Sequence, residues 1–103
     1  MRKVAYHVTL VLLACTNEAA FAANPDNGST LAQRWCAACH VVSGSQSKGT
    51  DIAPSFASIG ARPDFNVEKL TYFLLEPHPK MPNMSLTRDE AKDLSAYIGE
   101  QRR

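Results

Sequence analysis

Four stretches of the chain repeat their apolar positions every three to four residues, and none alternates convincingly with the two-residue period of a strand. The first helix is predicted over residues 25–38. Asn24 is a good N-cap, Pro25 suits the first helical position, and Asp26 suits the positive end of the dipole. Gly28, Leu31 and Trp35 share one face of it. The polar, glycine-containing residues 43–49 read as an exposed, mobile loop. A short helical piece begins at Pro54 and reaches Ile59, with Gly60 ending it. The third helix covers residues 67–75, with Asn66 or Asp64 as its N-cap and Leu70, Phe73 and Leu74 as its apolar face. It stops at Glu76, because Pro77 disfavours a helical residue before it. Three prolines make Pro77-His78-Pro79-Lys80-Met81-Pro82 a stiff, extended loop. Thr87-Arg88-Asp89-Glu90 is a capping box, and the last helix runs from there to about residue 101. Ala91, Leu94 and Ile98 lie on one face of that helix with Tyr97 beside them, and Arg102 and Arg103 meet the negative end of its dipole.

The apolar run that precedes these elements is of another kind. Arg2 and Lys3 lead into residues 4–15, broken only by His7 and Thr9, and Ala20-Phe21-Ala22 follows. A charged start, an apolar middle and a small-x-small site make residues 1–22 a secretory signal peptide and residues 23–103 the mature domain. The run is about 12 residues long, against about 20 for a spanning helix, so a retained membrane anchor is the weaker reading. Leu12-Leu13-Ala14-Cys15 also looks like a lipobox, which would make Cys15 a lipidated N-terminus and tether the protein to a membrane. Without Arg2, Lys3 and Glu18 the basic and acidic residues balance, so no global basic footprint for nucleic acid exists. A domain this short buries a modest core and calls for a staple. The cysteines left after the leader, Cys36 and Cys39, are too close in sequence to build a disulfide framework.

Cys36-Ala37-Ala38-Cys39-His40 is the pattern for covalent attachment of a c-type haem. Residues three apart on a helix lie on one face. Two thiols so placed can add to the two vinyl groups along one haem edge, and the adjacent imidazole of His40 then reaches for the iron. Two rival readings are weaker. A thioredoxin-like dithiol should sit beside a βαβ pattern, and none is visible. A zinc site needs a second ligand pair, and the mature domain offers only His78 beyond His40.

From Trp35-Cys36-Ala37-Ala38-Cys39-His40, through Ala53-Pro54-Ser55-Phe56 and Met81-Pro82, to Asp93-Leu94-Ser95-Ala96-Tyr97-Ile98, the mature chain resembles the class I cytochrome c family of small bacterial electron carriers. The resemblance implies an all-α globule of about four helices wrapped around one covalent haem c, its terminal helices crossing. It implies a periplasmic carrier passing electrons between redox proteins (an oxidase, a reductase or a dehydrogenase), and no enzyme. Competing roles are an electron-accepting subunit of one dehydrogenase, a haem sensor with an open ligand position, and a peroxidase-type enzyme.

A second axial ligand would close the iron of a carrier. Met81, Met84 and His78 are candidates, and a soft thioether suits ferrous iron and raises the potential. The family spacing to the aromatic of the last helix, here Tyr97, and the following Pro82 favour Met81. Met84 would then fill a core gap, and His78 would lie on the surface or beside a propionate. By position in the family, the carbonyl of Pro54 accepts the ring N–H of His40 and orients it. Trp35, Phe56, Leu70, Phe73, Leu74 and Leu94 are expected in the core or against the haem, with Gly28 and Tyr97 meeting where the terminal helices cross.

Overall fold

Each helix of the chain begins where a side chain can accept its orphan N–H groups. The computed structural model describes residues 22–46, 53–76 and 80–102, and within them the helices are α1 (Pro25–Trp35), α2 (Phe56–Gly60), α3 (Val67–Leu75) and α4 (Arg88–Glu100). No strand occurs among the described residues, so the fold is all-α. The leader with Cys15, residues 47–52 of the first loop, and Pro77-His78-Pro79 lie outside the described residues, and with them the expectations placed there.

Asn24 Oδ1 accepts from the N–H groups of Asp26 and Asn27 at 3.0 and 3.2 Å, and Asn66 Oδ1 accepts from Lys69 N–H at 3.0 Å. Asn66, not Asp64, is therefore the cap of α3. The box that opens α4 is closed both ways: Thr87 Oγ1 accepts from Glu90 N–H at 3.1 Å, and Glu90 Oε1 from Thr87 N–H at 3.0 Å.

Two boundaries differ from the sequence expectation. The first helix ends at Trp35, three residues early, because the carbonyl of Ala32 accepts twice, from Cys36 N–H at 2.9 Å and from Ala37 N–H at 3.0 Å. The second of these bonds spans five residues, widens the last turn and takes the chain out of α register. Residues 36–39 then form a turn of their own, in which Cys36 O accepts from Cys39 N–H at 3.2 Å and from His40 N–H at 2.9 Å. The second helix starts at Phe56 rather than Pro54, because Ser55 Oγ caps it by accepting from Ser58 N–H at 3.1 Å. Gly60 is its last residue.

The helix packing converges on α4: α1, α2 and α3 each lie against it. Ala91, Leu94, Tyr97 and Ile98 are buried there with Leu31 and Ala32 of α1 and Phe56 of α2. Each large aliphatic side chain so buried contributes about 1.5–3 kcal/mol. From α3, Leu70 and Leu74 pack on this cluster, but the fully turned-in residue is Thr71, whose Oγ1 stands 3.2 Å from Ser95 Oγ and donates to Val67 O at 2.7 Å. Leu70, Thr71 and Leu74 recur at helical spacing along the side facing α4, which leaves Phe73 half exposed rather than in the core. Trp35 is likewise exposed, with the Arg34 guanidinium 5.1 Å from its ring centroid.

Gly28 and Tyr97 do meet at the crossing of α1 and α4. A β-carbon on Gly28 would overlap the carbonyl oxygen of Asp93 and come within 2.8 Å of Tyr97 Cβ. The Asp93 carboxylate secures the same crossing, accepting from Asn24 N–H at 2.7 Å and from Asn27 Nδ2 at 2.9 Å. Gly28→Ala gains up to about 1 kcal/mol of helix propensity, but it must push the two backbones apart. The expected net result is a loss of about 1–3 kcal/mol in chemical denaturation. An unchanged or raised midpoint would mean that α1 does not press on α4 there.

Candidate functional site

The segment that follows α1 carries its reactive side chains in unequal settings. Cys36 closes the helix and is buried, whereas Cys39, at the end of the next turn, is exposed; neither is in a disulfide. Burial pushes the Cys36 thiol up to about 11 from its ordinary 9.0. A dithiol built for exchange needs a thiol poised to ionise, so the buried member of this pair is poorly suited to that chemistry.

His40 is buried at the start of the following segment. Its ring Nδ1 lies 2.6 Å from the carbonyl oxygen of Pro54. A carbonyl can only accept, so Nδ1 is the donor, and Nε2 is the ring nitrogen left to face a metal. The imidazole is further bounded by Phe56, whose ring centroid is 5.4 Å away at a 50° tilt, and Phe56 in turn meets Tyr97 edge-on at 6.2 Å. Pro54 is brought to His40 by a backbone bond just beyond both: Phe56 N–H donates to Val41 O at 2.9 Å. The hydroxyl of Tyr97 donates to Val42 O at 2.8 Å, so α4 holds the chain directly behind the imidazole.

His40 and Pro54 thus meet, and the backbone turn of Cys36–Cys39 leads directly into them. Met81 and Met84 line one cleft with Leu74, Leu75 and Asn83 at the end of α3. Both methionines are partly buried; Met84 packs against the hydrophobic core with Leu86, and Met81 is outside that cluster. Asn83 Oδ1 accepts from Ser85 N–H at 3.0 Å, and Ser85 adopts a left-handed φ of 51°, which turns the chain sharply between Met84 and Leu86.

One contributor escaped the sequence reading. Gln46 stands in what reads as an exposed serine-glycine loop, yet its carboxamide accepts from Val42 N–H at 2.9 Å and donates to His40 O at 2.9 Å and Ala37 O at 3.3 Å. The sole hint was a long amide among serines and glycines.

As a donor set these residues fit a covalently held porphyrin iron. They supply two thiols one turn apart, an imidazole oriented through its Nδ1 contact, and thioethers within the same small domain. They do not fit a closed protein-only metal site: among the described residues no group of three or more His, Cys, Asp and Glu is arranged to hold an ion.

Comparison with known proteins points the same way. A family model described as cytochrome c matches residues 25–101. The chain is similar to a protein named cytochrome c-552 from Bradyrhizobium diazoefficiens, 52% identical over 96 residues and covering 92% of each chain. No solved structure matches it.

Tyr97→Phe keeps the ring against Phe56 and removes the donor to Val42 O. Leaving that buried carbonyl unpaired is expected to cost about 1–2 kcal/mol, read by thermal or chemical unfolding. A neutral substitution would show that water or another donor replaces the hydroxyl at no cost.

Proposed function

The chain belongs to the cytochrome c family, and we propose that it is an exported monohaem electron carrier, with haem c bound through Cys36 and Cys39 and its iron held by His40 and Met81. The carrying observation is the 2.6 Å contact of His40 Nδ1 with Pro54 O, one turn from two cysteines free of disulfides. When bound, the haem supplies a one-electron iron couple whose potential depends on its axial ligands. The chain's own part is to hold the ligands still. Donation from Nδ1–H to Pro54 O orients the imidazole and makes Nε2 more basic. Phe56, Val42 and Leu94, all buried, surround this end of the molecule with apolar side chains. Electron transfer needs no acid, base or nucleophile, and none is assigned.

Met81 is favoured over Met84 by a division of work. The Met84 side chain packs, partly buried, against the core cluster with Leu86, and moving it would give up that contact. Met81 lies outside that cluster and is flanked by Pro82, which restricts the backbone beside it. Export to the periplasm is supported by the leader, residues 1–22. The match to the cytochrome c-552 takes in 92% of this chain, more than the residues from Ala23 onward can supply, so it reaches into that leader. The partners are other redox proteins, met through a small and transient surface.

Two measurements test the reading. Protein exported and matured by a host that makes c-type cytochromes should begin at Ala23 and carry the mass of one covalent haem. A lipidated Cys15 would change the location to a membrane surface, and absence of any tetrapyrrole would overturn the proposal. Met81→Ala should abolish the thioether-to-iron absorption band, lower the potential and let the reduced protein bind carbon monoxide, which the parent should ignore. Met84→Ala should keep the band and lose about 1–2 kcal/mol of stability, as befits a partly buried side chain. The opposite pattern would move the ligand to Met84.

A further inference from the structure

His40 is held at three points, two of them within the backbone and ring contacts already described. Its N–H donates to Cys36 O at 2.9 Å within the motif's own turn, and its ring donates to Pro54 O. The third is its carbonyl oxygen, which accepts from Gln46 Nε2 at 2.9 Å. The same amide nitrogen reaches Ala37 O at 3.3 Å, inside the turn between the two cysteines, and the amide oxygen accepts from Val42 N–H at 2.9 Å. One side chain therefore spans the motif from Ala37 to Val42. A chain that leaves helical register strands its last carbonyls and the next N–H groups. Here a single carboxamide satisfies two carbonyls and one N–H of the segment that follows α1.

From this geometry we infer that Gln46 is a positioning residue for the axial histidine: its carboxamide sets the backbone of residues 37–42, and through it the orientation of the His40 ring. The inference rests on His40 being the iron ligand. The chemistry admits few substitutes. Two carbonyls face the nitrogen and one N–H faces the oxygen, so the reversed amide would set oxygen against oxygen and N–H against N–H. Glutamate has the length but would turn a second oxygen toward both carbonyls. Leucine has the bulk but none of the bonds. The direction of influence is also fixed. Val42, held by Gln46, receives the Tyr97 hydroxyl, and Val41 receives the Phe56 N–H. Releasing the carboxamide therefore leaves the backbone behind His40 tied on one side only.

The test uses the haem-loaded protein and its variants Gln46→Leu and Gln46→Glu. Asp93→Ala is the control, since it loosens the crossing of α1 and α4 at Asn24 and Asn27, roughly 14–18 Å along α1 from Cys36. Stability, reduction potential and the exchange rate of the His40 Nδ1 proton, followed by NMR, are measured for each. Both Gln46 variants are expected to exchange that proton at least tenfold faster than the parent and to shift the potential, while Asp93→Ala loses stability and moves neither. Gln46 variants that lose stability with parental exchange and potential would reduce the residue to a structural one. An equal response in Asp93→Ala would do the same. If Gln46→Leu and Gln46→Glu do not mature, Gln46→Asn, which keeps the amide one methylene short, is read by the same two criteria. Parent protein lacking haem would sink the functional reading before any variant is compared, whereas a normal parent with unmoved variants would sink the Gln46 assignment alone.

Discussion

The bond between His40 Nδ1 and the carbonyl of Pro54 is the constraint on which the site depends. An imidazole has two nitrogens, and which one is free for a metal is decided by what the other does. A carbonyl partner leaves no ambiguity, because it offers lone pairs and no proton. Yet Pro54 is fourteen residues away in sequence and has no side-chain means of finding His40. It arrives because Phe56 N–H bonds to Val41 O and because the Phe56 ring is buried against Tyr97. The short α2, begun by its Ser55 cap, is what delivers both groups from one side. A five-residue helix has little stability of its own. Its value lies in presenting a carbonyl, an N–H and a ring in fixed relation.

All of this is mounted on α4. The helix receives α1 at Gly28, receives α2 at Gly60, where an added β-carbon would crowd Ile98 O, and receives α3 through the contact of Thr71 with Ser95. Close approach at the glycines lets backbone meet backbone, so that Leu31, Ala32, Leu94 and Ile98 can fill the space between without voids. A domain with so small a core cannot spare such contacts. Tyr97 shows how the scaffold and the site are joined: its ring belongs to the core, and its hydroxyl holds Val42, two residues beyond the imidazole.

The sequence disclosed what is decided locally. The capping box at Thr87 and Glu90 and the caps at Asn24 and Asn66 are short-range hydrogen bonds with narrow residue preferences, and α3 matches its expected limits. The attachment motif was legible for the same reason, since its residues are neighbours in the chain. What stayed hidden depends on partners far along the sequence or on exceptions to helical geometry. The early end of α1 arises from one carbonyl, Ala32 O, accepting two N–H groups, and no residue type announces that. Phe73 outranks Thr71 on any hydropathy scale, but the line of contact with α4 runs through Leu70, Thr71 and Leu74, and the Ser95 hydroxyl gives Thr71 a partner there. Gln46 was masked by its composition: a loop of serines and glycines is usually solvated, and only the folded chain brings Ala37, His40 and Val42 within reach of one amide.

The loop between α3 and α4 poses the opposite problem, because there the sequence offers too many candidates. Two thioethers stand three residues apart, and chemistry alone does not distinguish them. Packing does. Asn83 turns the backbone, Ser85 takes a left-handed φ that a non-glycine residue adopts at a cost of about 1 kcal/mol, and Leu86 and Met84 both lie against the core. Such a conformation persists only when the surroundings hold it in place, and here the side chains on either side of Ser85 pack, partly buried, against the core. A methionine committed to that burial would have to give it up in order to bind iron. Met81 stands before the turn and outside the cluster. The proposed ligation is consistent with the economy of this small domain, in which the thioether that packs on the core is the costlier one to move.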